Sequence, residues 1–178
     1  MRIISVGEIL WDVYEDQEFL GGAPFNFSVH VSRLGHDVYF ISSVGIDKRG
    51  DSALLRISDY HLSTKLISRV NNFPTGYVSI SKDKDGQPTY VIHRPAAYDY
   101  LSLTPEQIKD IISFQPRWLY FGSINQMSSI VRNLTNKLIR LLPKTRCFYD
   151  MNLRNGHYSL GIIKELLDTK GWMIITIE

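Results

Sequence analysis

Leu20-Gly21-Gly22-Ala23-Pro24-Phe25-Asn26 decides how this 178-residue chain is read. Paired glycines can take positive φ and let the backbone approach a neighbour closely. Pro24 suits the first turn of a helix, where its missing N–H costs nothing. Asn26 falls in that turn with one amide acceptor and two donors, a set that matches a hydroxyl, itself donor and acceptor. The helical pattern runs over 24–34, with Phe27, Val31 and Leu34 at i, i+4 and i+7, and stops at Gly35. Two readings fit these residues: a Gly-Gly turn that starts a helix, or a ligand-facing loop built on the same turn.

Working outward, strands alternate with helices. Apolar runs at 2–6, 37–44, 117–121, 146–150 and 172–177 are short and rich in Ile, Val, Phe and Tyr, as strands buried on both faces are. Helical patterns cover 49–60 (Ala53, Leu54 and Ile57 on one face), 128–141 (Ile130, Leu134, Leu138 and Leu141 in register) and 159–168 (Ile163, Leu166 and Leu167). Another begins at Thr104-Pro105-Glu106-Gln107, an N-cap, an N1 proline and a capping-box glutamine. This alternation predicts an α/β fold, a doubly wound, mostly parallel sheet with helices on both faces. Two segments break it. Residues 10–20 alternate around Glu15-Asp16 as a hairpin would. Residues 65–94 hold strand-like runs at 76–82 and 89–94 joined by Lys82-Asp83-Lys84-Asp85-Gly86, with a hairpin-type Asp-Gly. Together they predict a small antiparallel sheet beside the main one.

Composition narrows the function classes. Hydrophobic residues at 44% and charged residues at 21% describe an ordinary globular protein. A net charge of +2 argues neither for nor against nucleic acid, and no basic block or RNA-type aromatic motif supports that partner. The single cysteine, Cys147, excludes an internal disulfide and a multi-cysteine metal site, and its apolar neighbours predict a buried, inert thiol. The five histidines show no metal-ligand spacing. The N-terminal run 2–6 is too short for a secretory segment and no stretch of 18 apolar residues exists. The expectation is a cytoplasmic protein with no membrane partner.

Gly21-Gly22-Ala23-Pro24-x-Asn26-x-Ser28, followed by Gly35 and Gly45, resembles the N-terminal signature of the ribokinase/PfkB family of sugar kinases. Gly7-Glu8-Ile9-Leu10-Trp11-Asp12 is similar to that family's first strand and sugar-binding aspartate. Val44-Gly45-Ile46-Asp47-x-x-Gly50-Asp51 resembles its second glycine-aspartate segment, and Pro74-Thr75-Gly76 opens a region like its lid strands. Asp150-Met151-Asn152-Leu153-Arg154 resembles an Asp-x-Asn-Leu-Arg segment of its fructokinase-like branch. The motifs are ordered from residue 7 to residue 154 and match the N-terminal part of the family's length. The resemblance implies a ribokinase-like sheet over 1–178, truncated on its C-terminal side, with a β lid from about 10–20 and 65–94. In several members that lid also pairs subunits, which makes a homodimer through it an expectation.

The resemblance implies a sugar contact by Asp12, Gly21, Gly22 and Asn26. An ionised carboxylate after the first strand accepts from two hydroxyls, in the zone where open α/β sheets bind ligands. Glu8 reads as a holder of a backbone turn rather than a ligand. Asp150, Asn152 and Arg154 alternate after a strand and would project to one side; Arg154 is placed to meet an anionic group. Arg94 closes the second lid strand, where it reaches a substrate or stays solvated. Tyr90 and Tyr98 read as rim or core packing, and Ser123 and Asn125 lie after a strand in a zone suited to polar contacts.

No Gly-x-Gly-x-x-Gly or Gly-x-x-x-x-Gly-Lys-Ser/Thr loop exists in the sequence. The resemblance implies instead ATP with Mg²⁺, used by a full-length member through a C-terminal Gly-Ala-Gly-Asp segment whose N–H groups and aspartate do the chemistry. That segment and the family's Asn-x-x-Glu are absent from these residues. The expectation is therefore no catalytic residue and no bound cofactor in this chain, and no activity by it alone. The substrate expected first is fructose, with 2-keto-3-deoxygluconate as the alternative. A non-catalytic sugar-binding or dimerising remnant is the other class. Met173-Ile174-Ile175-Thr176-Ile177 reads as an interior strand, so a sheet ending there would leave an association-prone edge.

Overall fold

The computed structural model describes residues 1–154, 156–168 and the backbone of 172–174. The chain begins with β1 (Arg2–Val6), the hairpin β2 (Leu10–Val13) and β3 (Glu18–Gly21), then α1 (Ala23–Arg33). Next come β4 (Asp37–Gly45), α2 (Lys48–Asp59), β5 (Ile67–Val70), β6 (Gly76–Lys82) and β7 (Pro88–Ile92). After a 3-10 turn at Ala97–Tyr100 follow α3 (Pro105–Phe114), β8 (Trp118–Gly122), the short α4 (Ser123–Gln126), α5 (Ser129–Leu141), β9 (Arg146–Asp150), α6 (Leu160–Asp168) and β10 (Trp172–Ile174).

Six strands pair in the order β10-β9-β8-β1-β4-β5, every neighbour parallel. Successive residues on a strand face opposite sides, and β4 shows it: Phe40 and Val44 meet Phe25, Val29, Ala53 and Ile57 of α1 and α2. Ile41 instead joins Ile111, Val131, Leu138, Ile163 and Leu166 of α3, α5 and α6. The sheet is thus covered on both faces, as the alternation of apolar runs predicts. Positions 175–177 of the last expected strand lie outside the described residues. Cys147 is buried, and burial pushes its thiol up.

Two helices turn a different face inward from the one their spacing offers. In α1 the buried side chains are Pro24, Phe25, Ser28 and Val29, while Leu34 is 74% exposed. Phe27 stacks on Tyr120 at the margin, ring centres 4.0 Å apart. In α5 the core takes Val131, Thr135 and Leu138, leaving Ile130 and Leu141 exposed. α3 starts as its capping box requires: Thr104 Oγ1 accepts from the Gln107 N–H at 3.2 Å, and Gln107 Oε1 accepts from the Thr104 N–H at 2.8 Å.

A second sheet runs β3-β2-β6-β7. Its two hairpins are antiparallel, but β2 and β6 pair in parallel, so the sheet is mixed rather than antiparallel throughout. The expected lid segment 65–94 also narrows, because Ile67–Val70 joins the edge of the main sheet beside β4. Asp47 ties the two sheets together. Its carboxylate accepts from the N–H groups of Gly50 and Thr75 and from Thr75 Oγ1, each at 2.7 Å, capping α2 and fixing the entry to β6.

Candidate functional site

A half-open cleft of about 300 Å³ lies between the second sheet and the residues that follow β1, β8 and β9. Strand alternation builds its upper wall. Leu10, Asp12 and Tyr14 come from the first hairpin, Val78 and Ile80 from β6, Tyr90 and Ile92 from β7. The register places Asp12 beside Val78, Val78 beside Ile92 and Ile80 beside Tyr90, so these side chains share one face. The other face packs down, with Trp11 in the core and its Nε1–H donating to the Arg49 carbonyl at 3.1 Å. Asp12 thus follows β1 in the chain, as expected, and sits on β2 of the second sheet.

The floor is the start of α1. Gly22 stands at the N-cap with φ 111°, and a Cβ there would lie 2.6 Å from the Glu8 carbonyl oxygen. Gly21 is buried and does not line the cleft; a Cβ on it would come within 2.6 Å of Asp12 Oδ2. One glycine lets the chain turn into the helix, and the other leaves room for the carboxylate. Asn26, one turn into α1, is exposed and lines the cleft with Gly22 and Ala23.

The third wall follows β9. Asn152 takes φ 30° and lines the cleft with Arg154. Asp150 turns elsewhere, accepting from the Tyr120 hydroxyl at 2.6 Å, so the alternation expected from Asp150 onward breaks at this loop. Partial burial raises the Asp12 carboxyl above its ordinary value, and Arg154 pulls it back down.

Asp12, Gly22, Asn26 and Arg154 are thus brought together, whereas Arg94 is not on the cleft wall. Its Nη2 meets Asp99 Oδ1 at 2.5 Å, its Nε meets Oδ2 at 3.1 Å, and its Nη1 donates to the Ile124 carbonyl at 2.8 Å. Ser123 and Asn125 are buried cross-links as well: the first donates to the Met151 carbonyl, the second to the Tyr98 carbonyl at 3.0 Å. Tyr98 is fully buried beside Leu10, Val78 and Ile124, while Tyr90 sits 56% exposed at the cleft's mouth.

Glu8 reads from the sequence as a holder of a backbone turn rather than a ligand, and the structure places it in the cleft. It lines the cleft yet is only 2% exposed. Burial pushes its carboxyl up to about 7, against the pull of the Glu8 and Ala23 N–H groups and of Arg94. An acid immediately after an apolar strand and before a glycine-started helix was the available signal; its enclosure depends on elements far along the chain.

The model of the pfkB family carbohydrate kinases matches residues 3–175. An uncharacterized sugar kinase from Pyrococcus horikoshii is 29% identical over 164 residues, covering 85% of this chain and 52% of that protein. Its crystal structure superposes with a TM-score of 0.79 over 95% of this chain and 58% of that one. The fructokinase of Solanum tuberosum is 25% identical over 166 residues, again covering 85% of this chain and 52% of the relative. The fructokinase structure from Halothermothrix orenii, 21% identical, shares the fold with a TM-score of 0.81 over 97% of this chain and 67% of that one. The chain spans about half the length of the relatives it matches in sequence. Its sheet, its lid and the family match from residue 3 to residue 175 make it a member of the pfkB family of carbohydrate kinases.

Proposed function

We propose that this chain forms the sugar-holding part of a fructokinase-like enzyme, one that moves the ATP γ-phosphoryl group to a sugar hydroxymethyl. The observation that carries this reading is the convergence of Asp12, Asn26 and Arg154 on one cleft of about 300 Å³. That volume lies at the small end of ligand sites and suits a monosaccharide. Asp12 accepts from two sugar hydroxyls, charge-assisted bonds of the stronger kind. Asn26 donates to one hydroxyl and accepts from another. Arg154 favours the ionised form of Asp12 and so keeps the acceptor in place. The names of the relatives, sugar kinase and fructokinase, support the same reading.

ATP belongs to the reading through the family, and the Pyrococcus relative has been solved in complex with ATP. Mg²⁺ would supply positive charge against that carried by the transferred phosphoryl group. Among the described residues, no group of three or more His, Cys, Asp or Glu is arranged to hold a metal ion. The sequence has no Gly-Ala-Gly-Asp. These 178 residues are proposed to hold sugar without transferring phosphate by themselves. Among the described residues no helix is long and apolar enough to cross a membrane, and a cytoplasmic location is proposed.

Calorimetric titration with fructose tests the reading. Asn26→Ala should lose about 1–3 kcal/mol of binding, and Asp12→Ala at least as much. Unchanged affinity in both variants, with the fold intact, would make the glycine-helix junction purely structural. ADP release with fructose and ATP should stay at background; turnover near about 10 s⁻¹ would place catalysis within this chain.

A further inference from the structure

Glu8 leaves β1 and runs under the first turn of α1, so close that a Cβ on Gly22 would lie 3.3 Å from its Cγ. Its Oε2 is buried and has no hydrogen-bond partner among the described residues. A buried acceptor left unmatched costs folding free energy, so packing alone gives no reason for it. The charged and titratable groups that face it come from several elements: Arg94 after β7, Tyr98 in the 3-10 turn, Tyr120 on β8 and Asp150 at the end of β9. Three are already engaged, Arg94 with Asp99 and Tyr120 with Asp150. The carboxyl lines the same cleft as Asp12 and Asn26.

We propose that Glu8 is a second carboxyl acceptor for the substrate, taking a sugar hydroxyl on Oε2 beside Asp12 and selecting a neutral polyhydroxy sugar over an acidic one. The proposal rests on the cleft being a sugar site and deepens that reading. The charged residues lining the cleft are Glu8, Asp12 and Arg154. One cation against two acids disfavours a carboxylate ligand. A hydroxyl donor favours the ionised form of Glu8, whose carboxyl burial pushes up to about 7. Binding therefore expels a proton in the neutral range, and affinity falls as pH drops.

Calorimetry on the full 178-residue chain tests this with fructose at pH 6 and pH 8. The parent should bind about tenfold more weakly at pH 6. Glu8→Gln should bind within about twofold at the two values, and Asp12→Asn should weaken binding at both while keeping the slope. 2-Keto-3-deoxygluconate should bind the parent at least about tenfold more weakly than fructose and gain on Glu8→Gln. A measurement free of any variant follows the Glu8 carboxyl by ¹³C NMR: saturating fructose should lower its titration midpoint by about one pH unit or more. Equal affinity at the two pH values, a midpoint unmoved by fructose, or tighter binding of the acid sugar overturns the proposal. A parent that binds no fructose overturns it together with the sugar reading. Loss of binding in Asp12→Asn, with the parent's pH profile kept in Glu8→Gln, overturns the Glu8 assignment alone.

Discussion

Gly21 leaves the space that the Asp12 carboxylate fills: a Cβ on Gly21 would sit 2.6 Å from Asp12 Oδ2. The two are diagonal neighbours on the first hairpin, where Asp12 pairs with Phe19 and Leu10 with Gly21. Gly21→Ala should therefore displace the carboxylate without unfolding the chain. Gly21 has no positive φ, so the backbone accepts alanine, and Asp12 can rotate away. Overpacking here should cost about 1 kcal/mol of stability, while sugar affinity should fall at least about tenfold, one lost charge-assisted bond. Urea unfolding and fructose titration of the same variant separate the two effects.

Arg94 and Asp99 form an ion pair with side chains 18% and 7% exposed. The Asp99 carboxylate also accepts from the Ala96 N–H at 3.1 Å. Arg94→Ala should destabilise by about 3–5 kcal/mol, because the aspartate stays buried without its counter-charge. Adding Asp99→Asn should recover part of that loss. Denaturant melts of the two single variants and the double variant give the coupling; independent, additive losses would show that the pair does not act as a unit.

How much of this was legible depends on whether a feature answers to local or distant demands. The glycine pair with Pro24, the capping box at Thr104 and the Asp83-to-Gly86 turn are local, and each element starts or turns where those residues require. Which stripe α1 buries is not local: Phe25 and Val29 repeat at i, i+4 just as Phe27 and Val31 do, and the sheet chooses the first pair. Ile67–Val70 is too short, and too interrupted by Ser68 and Arg69, for a two-residue period to stand out. Its place in the main sheet is set by β4. Asp12 and Asn26 were readable as cleft candidates through the resemblance of their motifs to the pfkB family, not through their spacing. The role of Arg94 was not, since its partner is delivered by the turn at Ala97–Tyr100. Glu8 became visible as a buried acid only once α1 and the ends of β8 and β9 closed around it.

Asp47 should set the acid limit of the fold. Burial pushes its carboxyl up, but the hydrogen bonds from Thr75 and Gly50 and the charge of Arg49 hold it below its ordinary 3.8. A depressed folded value means stability that is full above the unfolded value and lost as pH falls through the folded one. Asp47→Ala should cost about 2 kcal/mol at pH 7, the upper end for a helix cap, because Thr75 loses its partner too. The difference between parent and variant should shrink below about pH 4, as the parent's carboxylate protonates. Urea melts at pH 3 and pH 7 measure it; a difference that stays constant would show that the cap's charge contributes nothing.

Glu8 should produce the opposite pH dependence, visible without any ligand. Its folded carboxyl is pushed from 4.5 up to about 7 by burial. The folded state then holds a proton that the unfolded chain releases between those two values. The Glu8 contribution to stability is accordingly highest below 4.5, declines as pH rises to about 7, and is flat above it. Integrated over that window, the loss is on the order of 3 kcal/mol. Glu8→Gln keeps the shape and removes the ionisation. The variant should match the parent near pH 4 and exceed its stability by up to about 3 kcal/mol at pH 8. Asp47 acts below this window, but Asp12, raised by burial, and His157, lowered by it, also titrate there, so the difference between parent and Glu8→Gln from pH 4.5 to pH 8 isolates Glu8. A parent–variant difference that holds level across that series would show that the carboxyl reaches solvent or a counter-charge in the folded state. A falling curve that the glutamine variant flattens would identify Glu8 as a residue kept in the cleft at a cost to the fold.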